Sequence, residues 1–327
     1  MRYTKAHAGD PEPYLDKICY FTLRCNLFGD LEMSSQVKCL ISNNVLRAEV
    51  DRFGAELLSI RDSNGLEYMT DADPAFWGGH APLLFPIVGS LVCDKFNHEG
   101  RSYPLPRHGF ARRSLFTLVE SREDALLFAL EDSEATRAAY PFAFRLEMAF
   151  RLVGATLHMT ATVHNKGEGV LPFSFGYHPA FAWPLPKGGA KEQHRLVFDQ
   201  DEPAPIYRVA KGTGELLPDS EASPVLGREL VLRESLFEAD AVIWKDLASR
   251  KLIFASPEGP ALDISFPDTP DLGLWQVPGA RYICIEPWAG HADPQGFDGE
   301  LVQKPGILTL APGESHSLRM DVTVRSG

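Results

Sequence analysis

"FRLEMAFRLVGATLHMTATVHNKG", residues 144–167, decides the fold. Phe144, Leu146, Met148, Phe150 and Leu152 are apolar at every second position, the period at which strand side chains return to one face. "VGAT" then turns the chain, and Leu157, Met159, Ala161 and Val163 resume the alternation. Two such runs about a glycine-bearing turn predict a long antiparallel hairpin. The C-terminal "HSLRMDVTVRSG" repeats the pattern through Leu318, Met320, Val322 and Val324.

Upstream, the segment that begins at Met33 alternates, turns at "DSNG" and alternates again, which reads as the start of the fold. Residues 1–32 show no period and mix charges with turn residues. They are expected to be a poorly ordered extension, with an edge strand at 18–28 as the alternative. Helical signals are short: "DADPAFWGG" at 71–79, and "SEATRAAYPF" at 133–142 with its serine-led start. Twenty-seven glycines and 25 prolines punctuate the rest. With no internal repeat, low-complexity tract or linker, the prediction is all-β: one large antiparallel β-sandwich over 33–327, with few short helices.

A net charge of −12 argues against nucleic acid, whose phosphates need a basic stripe, and against an anionic membrane surface. No run of 18 apolar residues offers a membrane span. Five cysteines (Cys19, Cys25, Cys39, Cys93 and Cys284) make an odd set without C-x-x-C spacing, which points to a reducing cytoplasm. A small neutral ligand would not be repelled; a phosphorylated one would need a local basic pocket.

Four islands within strand-like sequence carry candidate chemistry: "LPRHGFARR" (105–113) with His108, "FGYHPAF" with His178, "FEADAVIW" with Asp240, and "RYICIEPWAGHAD" with Glu286. In "FSFGYHPAF", residues 173–181, Phe173, Phe175 and Tyr177 share one face of a strand and Ser174, Gly176 and His178 the other. The small residues suggest empty space beside the imidazole, room for a ligand. Glu286 interrupts "YICI" and shares a face with Tyr282 and Cys284. A carboxyl beside apolar neighbours has its charged form disfavoured, as suits a group that exchanges protons near neutrality. His178 and Glu286 each precede a proline, which narrows their backbone to extended conformations. The alternatives are a hydrogen-bonded core histidine and a strand-end glutamate that is solvated or paired with an arginine.

In order along the chain, "APLLFPIVGS", "YPLPRHGFARR", "FSFGYHPAF" and "LGLWQVPGARYICIEPWAG" closely resemble the aldose 1-epimerase (galactose mutarotase-like) family, most of all its bacterial members with the HGFAR signature. The resemblance runs from about residue 40 to the C-terminus. It implies a large β-sandwich with a sugar cleft and no metal or organic cofactor. It implies Glu286 as general base and His178 as general acid for opening the ring. It also implies His108 at the ring oxygen or a neighbouring hydroxyl, and Asp240, on a looser match, holding sugar hydroxyls. Ser90 departs from the pattern, since many relatives carry an arginine just after "FPIVG".

The tryptophans available to stack on a sugar are Trp77, Trp183, Trp275 and Trp288, with one or two expected to reach the site. Arg107, Arg112 and Arg113 offer a phosphate pocket by bidentate pairing, so a hexose-6-phosphate 1-epimerase is the nearest rival. A glycoside hydrolase using Asp240 and Glu286 and a non-catalytic sugar-binding module complete the field. "NHEG" (97–100) and "GHAD" (290–293) cluster potential metal ligands without recognised spacing, and no metal site is expected from them. The expected partner is a hexose or hexose phosphate, taken by a monomer or homodimer.

Overall fold

The computed structural model describes residues 38–325; the expected extension at 1–32, and the strand weighed at 18–28, lie outside the described residues. The 144–167 reading holds. Phe144–Val153 and Thr156–Asn165 pair antiparallel with Val153 opposite Thr156. Gly154 takes a positive φ of 56° in the two-residue connection, as tight hairpin loops require. Every apolar position named in the two runs is buried. Ser315–Arg325 lies along the hairpin's other edge and buries Leu318, Met320, Val322 and Val324.

These strands are the middle of a nine-stranded antiparallel sheet. An eight-stranded sheet faces it, with Tyr282–Ala289 near its centre between Asp271–Trp275 and Phe175–Tyr177. The two sheets are tied through Tyr177, whose hydroxyl donates to the Leu318 carbonyl at 2.7 Å and accepts the Ala161 N–H at 3.0 Å. Phe173, Phe175, Tyr177, Ile283 and Ile285 belong to the core between the sheets, so the opposite faces of these strands are turned away from it. Strand alternation thereby delivers His178 and Glu286 to one outer surface.

One α-helix is present among the described residues, Glu134–Ala139, capped by Ser133 accepting the Thr136 N–H. The other expected helix, at 71–79, is a turn-containing loop. Asp73 organises it locally: its Oδ1 accepts the Ala75 N–H and its carbonyl the Phe76 and Trp77 N–H groups. The pull of aspartate toward such turns outweighs the helical spacing. "NHEG" is the tip of the hairpin between Lys95–His98 and Arg101–Pro104, with Glu99 and Gly100 both at positive φ. No helix among the described residues is long and apolar enough to cross a membrane.

Candidate active site

Glu286 sits in a strand buried along its whole length. On its outer face it lies between two apolar clusters. One contains Tyr282, Cys284 and Ala180, with Trp77 and Trp275 packed against them; the other contains Trp288, Leu84 and Ile243. Burial is the first cause of a Glu286 carboxyl held well above the usual range, and the Asp240 charge adds to it while the Trp288 indole pulls the other way.

His178 reaches the same place from the adjoining segment. Ala180 pairs with Cys284, and the Ile285 N–H donates to the Pro179 carbonyl at 3.2 Å, so the His178 backbone is clamped against the glutamate's strand. His178 Nε2 stands 3.3 Å from Glu286 Oε2. Burial, reinforced by the Arg112 charge, lowers the imidazole to about 3. Burial thus disfavours the charged form of each group, the imidazolium and the carboxylate. Nδ1 is buried without a partner among the described residues, which leaves the ring's polar interaction to Nε2.

Aromatic rings enclose the imidazole. Trp77 stacks on it at 5.1 Å between centroids and Trp275 meets it edge-on at 5.9 Å. Trp183 is core instead, 1% exposed with its indole N–H donating to the Lys191 carbonyl. The space expected opposite Ser174 and Gly176 is filled. A Cβ on Gly176 would stand 2.5 Å from Trp288 Cδ1, and one on Gly273 would stand 2.4 Å from Trp288 Cη2. Gly176 and Gly273 thus seat the Trp288 indole. Ser174 similarly fills the place of a Cβ on Gly290, with Oγ 2.3 Å from it. Strand alternation identified the face correctly but could not show a side chain from the neighbouring strand occupying it.

His108 lies 6.0 Å from His178, ring to ring. It is held in a left-handed backbone conformation, φ 64°, by a double contact with Gly89: its N–H donates to the Gly89 carbonyl and its Nδ1 accepts the Gly89 N–H at 3.1 Å. An accepting Nδ1 carries no proton, so Nε2–H is a donor. Burial, then repulsion from the His178 ring whenever that is protonated and from the Arg112 and Arg107 charges, depress its basicity and favour that neutral tautomer.

Arg112, in the 3-10 turn Ala111–Arg113, donates Nη2 to the Arg107 carbonyl and keeps Nε buried without a partner among the described residues. Burial and the neighbouring Arg113 and Arg107 charges lower its guanidinium to about 10. Arg107 Nε donates to Ser90 Oγ at 2.7 Å, so an arginine from a different loop is anchored on Ser90. Asp240 is exposed at the rim, with φ 68° and Oδ1 accepting the Ala241 N–H. Its charge reaches Glu286, but its side chain is not bonded to the His178–Glu286 pair.

Cys284, on the same face as Glu286, completes a group that spacing in the sequence did not reveal: ligand atoms of His178, Cys284 and Glu286 all lie within 4.8 Å of one another. "GHAD" serves a structural end. Lys304 Nζ, fully buried, contacts Asp293 Oδ1 at 3.1 Å and donates to the His291 carbonyl at 2.5 Å, fastening the loop that follows the Glu286 strand.

A family profile described as aldose 1-epimerase matches residues 37–323. The plasmid-borne LacX protein of Lactococcus lactis is 33% identical over 294 residues, which cover 87% of this chain and 98% of LacX. Two crystal structures share the fold. A galactose mutarotase related enzyme from Lactobacillus acidophilus has TM-score 0.81 and 31% identity, covering 88% of this chain and 97% of its own. A galactose mutarotase-like protein from Lactobacillus casei has TM-score 0.79 and 28% identity, covering 88% and 100%.

Proposed function

Because the chain belongs to the aldose 1-epimerase family, we propose that it interconverts the α and β anomers of a hexose, with Glu286 and His178 as the proton-transfer pair. The observation that carries this reading is the 3.3 Å contact between the two groups inside a buried, aromatic-walled site. Mutarotation needs one base and one acid in register with O1 and O5 of a pyranose. It needs no nucleophile and no redox centre.

Glu286 takes the proton from the anomeric hydroxyl while His178 gives one to the ring oxygen, and the C1–O5 bond breaks. The aldehyde turns about C1–C2 and recloses on its other face, each proton returning along its path. A single proton shared by the buried pair is enough for this cycle. Transfer from carboxyl to imidazole across the contact gives the starting carboxylate and imidazolium. A positioned acid or base contributes ~10²–10⁴-fold. The Nε2–H of His108 is suited to the ring oxygen or a hydroxyl beside it, Arg112 to further hydroxyls, and Asp240 at the rim to hydroxyls that face solvent.

The arginine cluster supports a second reading, a hexose 6-phosphate substrate. Arg107 and Arg112 hydrogen-bond neutral oxygens, Ser90 Oγ and the Arg107 carbonyl, which leaves their charge available to an anion. Free thiols at Cys39, Cys93 and Cys284 favour a reducing compartment, the cytoplasm. Polarimetry on freshly dissolved α-glucose, α-galactose and α-glucose 6-phosphate tests the proposal: at least one should mutarotate well above the blank. Binding of these sugars with no acceleration of any would leave a sugar-binding module instead.

A further inference from the structure

We propose that His178, Cys284 and Glu286 form a three-ligand site for Zn²⁺ or a cation of similar softness, and that the metal and the sugar exclude one another. Once the cation displaces the protons that burial favours on the Cys284 thiol and the Glu286 carboxyl, the set supplies imidazole nitrogen, thiolate sulfur and carboxylate oxygen, all donors that zinc accepts, and three protein ligands with the fourth position open is the pattern of an accessible zinc site.

The geometry is close to what the ion requires. Ligand bonds of 2.0–2.3 Å in a tetrahedron put donor atoms roughly 3.3–3.6 Å apart. His178 Nε2 and Glu286 Oε2 are already 3.3 Å apart. The three donors lie within 4.8 Å of one another, so the sulfur needs to close by up to roughly 1.5 Å to meet that edge length. A χ1 adjustment of one cysteine covers such a movement. The scaffold is rigid: Cys284 and Glu286 are alternate residues of one buried strand, and Ala180, two residues after His178, pairs with Cys284. All three residues are buried, and His178, the most accessible at 10% of its side chain, marks the side from which a fourth ligand would approach.

The chemistry selects the cation. Thiolate and imidazole favour Zn²⁺, and Co²⁺ as its spectroscopic substitute, over Mg²⁺ or Ca²⁺, which prefer oxygen. A metal there takes the Nε2 lone pair and the carboxylate that the proton-transfer reading assigns to O5 and O1. Occupation by metal would therefore silence the site without unfolding it.

The metal site stands apart from the epimerase reading, because its first readout is metal binding. The full-length protein, stripped with chelator, is titrated with CoCl₂ and followed by its thiolate-to-cobalt absorption, with ZnCl₂ as competitor. One equivalent should produce the band and Zn²⁺ should abolish it, whereas MgCl₂ should do neither. Cys284→Ser should lose the band and weaken Zn²⁺ binding by more than the roughly 10–100-fold that even an outer-shell change costs at zinc sites. The same variant should keep its sugar chemistry and become resistant to Zn²⁺. Cys284→Ala and an unchanged thermal unfolding profile guard against misfolding. A wild-type protein without the band, or a Cys284→Ser variant that binds Zn²⁺ as tightly as wild type, overturns the proposal.

Discussion

His178 and Glu286 touch at 3.3 Å in a place where burial disfavours the charged form of each, the imidazole lowered to about 3 and the carboxyl raised. A surface ion pair would bind its proton on the imidazole and give little directionality. A buried neutral pair holds one proton that either partner can carry, which is what a reaction that adds a proton at one oxygen and removes one at another requires.

This burial has a consequence for stability. The His178 imidazole sits at about 3 when folded and 6.5 in an ordinary setting, so across that window the unfolded chain binds the extra proton and stability falls as pH falls. The slope from one such group is ~1.4 kcal/mol per pH unit. Removing the imidazole in His178→Gln should flatten the stability curve by that amount over the acidic window, while His291 and His194, also depressed chiefly by burial, keep their share. Denaturant unfolding across the window measures it. Parallel curves for variant and wild type would mean the imidazole is not buried as described.

Gly176→Ala places a methyl 2.5 Å from the Trp288 ring. The indole must move, and it stands beside Glu286. The expected cost is about 1–3 kcal/mol of stability, together with a shift in tryptophan emission and a loss of activity. An alanine variant with native stability and emission would show that the indole is not seated on this glycine.

Lys304→Met removes the cation from a fully buried pair and strands Asp293. Breaking such a pair by one partner costs roughly 3–5 kcal/mol. Adding Asp293→Asn should restore part of the loss, because the remaining buried charge goes with it. Thermal unfolding of the two variants reads this out, and an additive double variant would contradict it.

The left-handed backbone at His108, φ 64°, separates two substitutions. Asparagine tolerates this conformation and a β-branched residue does not. His108→Asn should fold and lose about 10²-fold in rate, the scale of one lost stabilising donor, whereas His108→Val should be destabilised as well. Equal stability of the two would remove the argument for backbone strain, and an undiminished rate in His108→Asn would remove the imidazole's role.

Alternation made the sheets legible. Leu146 to Leu152 and Leu318 to Val324 announce their buried face by sequence alone, because a strand's two faces differ at a period of two. Glu286 stood out for the same reason, a charge in an otherwise apolar strand. Trp288 in the hollow of Gly176 and Gly273 was not legible, since cross-strand register is set by distant segments. Nor was Trp77 over His178: "DADPAFWGG" follows helical spacing, yet Asp73 turns it into a loop that carries the indole to the site. Nothing in the sequence ties Lys304 to Asp293; the fold buries them together. Alternation put Cys284 on the face of Glu286, but its nearness to His178 was not legible, because that depends on the pairing of Ala180 with it.

The central claim is proton transfer by the Glu286–His178 pair, and anomeric proton NMR tests it on freshly dissolved α-hexose with wild type and Glu286→Gln at matched concentration. The account predicts anomer exchange well above the blank for wild type and a ~10²–10⁴-fold loss in the variant, with sugar binding retained. Exchange by Glu286→Gln at the wild-type rate would contradict it.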